Sequence, residues 1–123
     1  GPTAVTLSAF EATPAEGAIV VKWETATEWD VLGFYVTRAQ SPEGPGARLN
    51  ADLILSQAPG STLGASYQYV DLKANPGQVY YYWLEVVGAY GQSTEHGPVS
   101  ATTNQPQAAA PYRVFLPWIR RGP

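Results

Sequence analysis

Cysteine and methionine are absent from this sequence of 123 residues, and histidine occurs only once. Without cysteine the chain can form no disulfide and no thiolate metal site, and the redox compartment is left open. The single histidine, His96, cannot supply the several ligands of a zinc site, and no nucleophile pattern accompanies it. We therefore interpret His96, which lies in TEHGP beside a turn at the start of the last predicted strand, as an exposed or capping residue, and we expect no catalytic site, no metal and no cofactor.

Charge is also scarce, since Asp, Glu, Lys and Arg make up 14% of the residues and the net charge is −3. The scattered Lys and Arg exclude a nucleic-acid partner, because no row of cations could neutralise phosphates. The nearest approach to an acidic cluster is Glu24, Glu28 and Asp30. It lacks the spacing of a calcium loop, and a small sandwich offers no cleft for a glycosidase pair. We interpret these residues as a solvated acidic bend.

The sequence also lacks the patterns of a membrane-spanning segment, a signal peptide and a long helix. No apolar run approaches the length of a membrane-spanning helix, so we expect a chain that does not span a membrane. The opening GPTAVTLSAF lacks the basic and apolar regions of a signal peptide, so we expect none in this sequence. No window shows a sustained helical period, and 11 Pro and 12 Gly favour turns over long helices.

Short segments of period-two alternation predict strands instead. The seven predicted strands are TAVTLSAFEA, AIVVKWET, FYVTRAQ, ARLNADLIL, SYQYVDL, QVYYYWLEVVGAY and STEHGPVSATT. In the first strand Val5, Leu7 and Ala9 share one face, and in the last Pro98 marks an edge position or a bulge. The predicted core residues are Trp23, Phe34, Val36, Tyr80, Tyr82 and Leu84. The pattern predicts an all-β, seven-stranded sandwich over residues 1–103.

Three segments carry a family resemblance: IVVKWETATEWDVLGFYVTRA, RLNADLI and YQYVDLKANPGQVYYYWLEVV. They resemble a bacterial fibronectin type III-like domain of secreted and cell-surface proteins. The resemblance implies that Trp23 is the buried tryptophan of the second strand and that Tyr80 forms the tyrosine corner. It also implies an extracellular or cell-surface location and a non-catalytic spacer, adhesive or accessory role. No RGD sequence supports integrin-type adhesion.

Four aromatic residues alternate with the predicted core residues and are therefore expected to point away from the core: Trp29, Tyr35, Tyr81 and Trp83. Exposed flat rings can stack on sugars, which would make polysaccharide a second class of partner. The alternative is that these rings cover a sheet face or pack against a neighbouring subunit.

The C-terminal part of the chain divides into a Pro/Ala/Gln linker, residues 104–111, and an apolar tail, residues 112–123. The tail residues predicted to act in assembly are Tyr112, Val114, Phe115, Leu116, Trp118 and Ile119. Read as a strand, the tail is apolar on both faces, and Pro117 suits it to a sheet edge. It resembles the short Y-x-x-x-LP endings of exported proteins from filamentous hot-spring bacteria.

Three alternatives remain for this tail. It can fold onto its own sandwich, add as a strand to a neighbouring copy, or serve as a sorting or surface-retention signal. We expect the second, so that the chain is an extracellular structural subunit that assembles head-to-tail with other copies of itself into a surface filament. The alternative function is a spacer or carbohydrate-binding module of a larger secreted protein.

Overall fold

The structure is a computed structural model of the chain, and it describes residues 5–103. The linker and the predicted assembly residues Tyr112, Val114, Phe115, Leu116, Trp118 and Ile119 lie outside the described residues. Within residues 5–103 the regular structure consists of eight strands, without a helix. They are β1 (Val5–Ala15), β2 (Ala18–Glu28), β3 (Val31–Ala39), β4 (Ala47–Arg48), β5 (Ile54–Leu55), β6 (Ser66–Asp71), β7 (Val79–Gly88) and β8 (Ser93–Thr102).

The strands form two antiparallel sheets that face each other. The smaller sheet has the order β1-β2-β6, and the larger has the order β4-β3-β7-β8 with β5 also paired to β3. β1 and β8 lie against each other, which closes one side of the sandwich. The predicted all-β sandwich is therefore confirmed.

One predicted strand is divided in the structure. The segment ARLNADLIL forms β4 and β5, two residues each, which pair with different parts of β3. Between them, Asn50 Oδ1 accepts a hydrogen bond from Val36 N at 2.8 Å, and Asn50 Nδ2 donates to Phe34 O at 3.2 Å. This side-chain bonding replaces part of the backbone ladder, which explains why the eight observed strands exceed the seven predicted.

The side chains of β1 do not point to the faces that the sequence predicted. Two register shifts lie on either side of Leu7. Ala9 is exposed, whereas Leu7, Phe10 and Ala12 pack against the core. The prediction that Leu7 and Ala9 share a face is wrong, because a bulge inserts an extra residue and reverses the alternation.

The core lies between the inward rows of the two sheets. The rings of Trp23 and Tyr67 stack with centroids 5.4 Å apart and planes 7° apart, and Phe34 packs at a tilt against both. Six residues predicted as core are each at most 1% exposed, namely Trp23, Phe34, Val36, Tyr80, Tyr82 and Leu84. Burying a large apolar side chain contributes about 1.5–3 kcal/mol, so this layer supplies the main stabilisation of the sandwich.

Tyr80 stands at the start of β7 and ties the preceding turn to the core. Its hydroxyl accepts a hydrogen bond from the backbone N of Asn75 at 3.0 Å. This is the geometry of a tyrosine corner, in which the hydroxyl bonds to backbone a few residues upstream. The resemblance implied this role for Tyr80.

The chain enters the sandwich at one end and leaves it at the other. β1 begins beside the β2–β3 turn, since Val5 pairs with Glu28. After β8, the Thr103 hydroxyl donates to Ala15 O at 3.2 Å, next to the β1–β2 turn. Because these turns lie at opposite ends of β2, a segment that follows Thr103 starts from the end remote from the entry of β1.

Candidate functional site

Three of the four predicted sugar-stacking residues lie on the outer face of the larger sheet. Tyr35 on β3, and Tyr81 and Trp83 on β7, alternate with buried core residues and are partly buried themselves. In the β3–β7 register, Tyr35 lies opposite Glu85, and Trp83 lies opposite Thr37. The three rings therefore occupy staggered rungs rather than one row.

The ring of Tyr35 is covered by a cation. The guanidinium carbon of Arg48 lies 3.8 Å from the ring centroid. Arg48 Nε and Nη2 also donate to Glu85 Oε1 and Oε2, each at 3.1 Å. This bidentate pair holds the guanidinium over the ring. Arg48 therefore occupies one face of the Tyr35 ring, and a sugar could stack on that face only after displacing Arg48.

The β3–β4 loop lies beside Trp83. A Cβ added at Gly46 would lie 3.3 Å from Trp83 Cε3 and 2.9 Å from Thr37 Oγ1, so the loop backbone approaches closely. Thr37, although on the outer face, is buried. The centre of this face is thus packed by its own loop, and it is not an open aromatic platform.

The fourth residue, Trp29, lies elsewhere. It is 57% exposed in the β2–β3 turn, next to Asp30, whose carbonyl accepts a hydrogen bond from Ala89 N at 2.8 Å. This bond joins the turn to the β7–β8 turn, where Tyr90 is 81% exposed. Trp29 is therefore separated from the other three rings, at the end where β1 begins.

The acidic residue Glu28 is a buried structural group. It is fully buried, and its carboxylate accepts hydrogen bonds from the hydroxyls of Thr25 at 2.5 Å, Tyr67 at 2.7 Å, and Ser56. The prediction that Glu28 belongs to a solvated bend is wrong. A buried carboxylate is tolerated because its oxygens are all hydrogen-bonded, and these bonds fasten the β5–β6 segment to β2.

The hydrogen bonds around Glu28 determine the ionisation states of Glu28 and Tyr67. Burial raises the pKa of Glu28, but hydrogen bonds from Ser56, Thr25, Tyr67 and the backbone at Ala58 outweigh it, and the net pKa is lowered from 4.5. Burial, together with the hydrogen bond and negative charge of Glu28, raises the pKa of Tyr67 to about 12. Glu28 is therefore a carboxylate and Tyr67 a neutral donor at neutral pH.

A second buried carboxylate joins the two sheets. Asp71 on β6 accepts from Arg38 Nη1 at 2.9 Å, from the Tyr82 hydroxyl at 2.6 Å and from Lys73 N at 3.1 Å. Burial lowers the pKa of Arg38, but the hydrogen bond and negative charge of Asp71 outweigh it and raise this pKa above its usual value. Burial raises the pKa of the Tyr82 hydroxyl, and the hydrogen bond and negative charge of Asp71 raise it further. Arg38 also lies 4.6 Å over the ring of Tyr80, so this network is structural.

The side of the sandwich between β6 and the β4 and β5 segments is open. One groove of about 400 Å³ is lined by Trp23, Ile54, Tyr67 and Gln68, among others. A second, of about 430 Å³, lies towards the other end of β6. Its lining combines apolar residues, among them Leu49, Tyr69 and Leu72, with the charged residues Arg38, Arg48, Asp71 and Lys73. Sequence reasoning did not find this feature, since it depends on the two short strands β4 and β5 that the sequence predicted as one.

Residues 5–103 contain no group of three or more His, Asp or Glu side chains that could hold a metal ion. His96 is partly buried on β8, opposite Leu84, and its ring nitrogen lies 3.5 Å from the Thr94 hydroxyl. No helix in this part of the chain is long and apolar enough to cross a membrane.

Comparison with known proteins supports the fold directly. No family model matches the sequence, and no curated protein matches it. Among solved structures, the chain is similar to an Fn3-like protein from Clostridium thermocellum, with a TM-score of 0.63 and 18% sequence identity. The similarity covers 85% of this chain and 97% of that chain. The two antiparallel sheets, the buried Trp23 and this likeness together show that the chain has a fibronectin type III-like β-sandwich fold.

Proposed function

We propose that this chain is a non-catalytic structural subunit of the cell surface or extracellular space. Each sandwich forms one unit of a linear assembly, and the segment Tyr112–Ile119 joins it to the next copy. The fold is consistent with structural and accessory modules, and it is typically non-catalytic. A fold alone does not fix function, so the proposal depends on particular features of this chain.

The observation that carries the proposal is the position of the two ends of the sandwich. β1 starts beside the β2–β3 turn, whereas Thr103 lies beside Ala15 at the opposite end. Copies joined through the segment after Thr103 would follow one another along the strand direction. A contact of this head-to-tail kind uses two different surfaces and can repeat without closing.

The distribution of charge supports association between this segment and a sandwich. All ten acidic residues lie within residues 5–103, with four of the seven Lys and Arg, which leaves that part at −6. The other three cations are Arg113, Arg120 and Arg121, and no acid accompanies them. Opposite net charge accelerates encounter and favours the correct partner.

Carbohydrate binding by the outer aromatic face is the less favoured function. Arg48 covers Tyr35, the β3–β4 loop packs beside Trp83, and Trp29 is remote from both. A polysaccharide would find no continuous row of open rings on this face.

Sedimentation velocity and electron microscopy of the full chain and of a chain ending at Ala110 test the proposed function. The full chain should form species that grow with concentration, and the shortened chain should remain monomeric. Equal monomeric behaviour of both chains would refute assembly. Retention on a polysaccharide column that Trp83→Ala abolishes would instead favour the carbohydrate-binding module.

A further inference from the structure

The edges of the two sheets differ in how far they are protected against an added strand. β1 carries Pro14 and two register shifts, and β8 has a register irregularity next to Pro98. β4 and β5 have two residues each. Bulges, proline and short length all discourage pairing with a further strand. β6, Ser66–Asp71, has none of these features, since its register with β2 is continuous over all six residues.

The hydrogen-bonding groups on the free edge of β6 can be assigned. Thr25 N donates to Ala65 O at 2.9 Å, which makes residues 25 and 65 a hydrogen-bonded pair. Such pairs alternate along an antiparallel ladder, so Tyr67 and Tyr69 bond to β2, whereas Gln68 and Val70 direct their N–H and C=O groups outwards. Within residues 5–103 no backbone hydrogen bond reaches these outward groups.

The space beside this edge combines apolar and charged groups. The charged residues that line the two grooves are Lys22, Glu24, Arg38, Arg48, Asp71 and Lys73. Tyr67 and Tyr69 face inwards from β6, and Ile54 and Leu49 approach from the other sheet at the two grooves. On the opposite side of the strand, Val70 is 40% exposed, and Leu72 beyond its end is 74% exposed. A strand added at this edge would thus lie beside Tyr67 and Tyr69 on its inward face, and beside Val70 and the polar Ser66 and Gln68 on its outward face.

We infer that the β6 edge is the acceptor for Tyr112–Ile119 of a second copy, which adds there as a further strand; this rests on the proposed assembly function. By alternation the segment carries apolar residues on both faces, and its eight residues are enough to cover the six of β6. Pro117, which lacks an N–H, is compatible with a strand that becomes the new edge.

The competing occupant is the same segment of the same copy. β6 lies two strand spacings from β1, about 10 Å. Residues 104–111 can extend about 26 Å, so a connection from Thr103 to the near end of the edge is feasible. The experiment therefore has to separate binding within one chain from binding between chains.

Gln68→Pro in the full chain is the decisive variant, with Gln68→Thr as its control. Proline removes only an outward N–H, and Tyr67 before it is already extended, so pairing with β2 is preserved. By sedimentation velocity, wild type and Gln68→Thr should assemble, and Gln68→Pro should need at least about 100-fold higher concentration. Assembly of Gln68→Pro like wild type would overturn the β6 assignment and leave the proposed function intact.

Hydrogen exchange of the wild-type chain decides the question without any substitution. The amides of Gln68 and Val70 should exchange at least about 100-fold more slowly in the assembled form than at monomer concentrations, whereas Tyr67 and Tyr69 are protected in both. Unchanged exchange of Gln68 and Val70 on assembly would overturn the assignment. A wild-type chain that is monomeric at all concentrations would refute the proposed function too, and protected Gln68 and Val70 amides in that monomer would identify docking within one copy.

Discussion

At the scale of single residues, the polar groups inside the sandwich are the least predictable part of the molecule. Thr25 lies three residues before Glu28, but the other donors to its carboxylate, Ser56 and Tyr67, lie 28 and 39 residues away. No local pattern shows that these hydroxyls converge on one point. A charged residue near a turn is usually solvated, and that general expectation failed here because the fold supplies enough donors.

Replacing Glu28 by Gln should lower the free energy of unfolding by about 2–3 kcal/mol at pH 7, since an amide cannot accept all the bonds of the carboxylate. The folded-state pKa is lowered, so this stabilisation is complete above pH 4.5 and is lost as the pH falls through the folded-state value. The difference from wild type should shrink accordingly in acid. Urea unfolding measures both, with the exposed Glu24→Gln as control. An effect below about 0.5 kcal/mol at pH 7 would contradict the assignment.

Tyr82→Phe tests the network that joins the sheets. The substitution keeps the buried ring but removes the hydroxyl that donates to Asp71, and it should cost about 1–2 kcal/mol in thermal or urea unfolding. The same change at Tyr90, which is 81% exposed, should have no measurable effect. Equal stability of the two variants would show that the bond to Asp71 contributes nothing.

At the scale of elements, the sequence predicted the long strands better than the short ones. The alternation in β7 identified a central strand with Tyr80, Tyr82 and Leu84 on one face, because a regular ladder preserves the period of two. It did not identify the bulges in β1 or the interruption at Asn50. Bulges and side-chain bonds to backbone depend on the partner strand, and a single segment does not display them.

Gly64 tests how closely the β5–β6 segment lies against β2. A Cβ there would lie 1.6 Å from Thr25 O, so Gly64→Ala has to push the segment away from β2. We expect a loss of about 3 kcal/mol in the free energy of unfolding. Gly60→Ala, where a Cβ has open space but φ is +70°, should cost only about 1 kcal/mol. Chemical denaturation that ranks these two variants in the opposite order would contradict the packing described.

At the scale of the whole molecule, composition and alternation were sufficient for the all-β sandwich, and a structural neighbour at 18% identity supports the fold. Composition and alternation did not predict which surfaces of the sandwich are open to a partner. Tyr35, Tyr81 and Trp83 were predicted from parity alone, which does not show that Arg48 and the β3–β4 loop cover the same face. The open β6 edge likewise emerges only once all the strands are placed.

Head-to-tail assembly requires that two different surfaces of this chain meet, and mixing two complementary variants separates these surfaces. One chain carries Gln68→Pro and keeps its C-terminal segment; the other ends at Ala110 and keeps its β6 edge. In sedimentation velocity each should be monomeric alone, and the mixture should give a 1:1 dimer that does not grow further. A mixture that remains monomeric at every concentration would contradict head-to-tail assembly through β6.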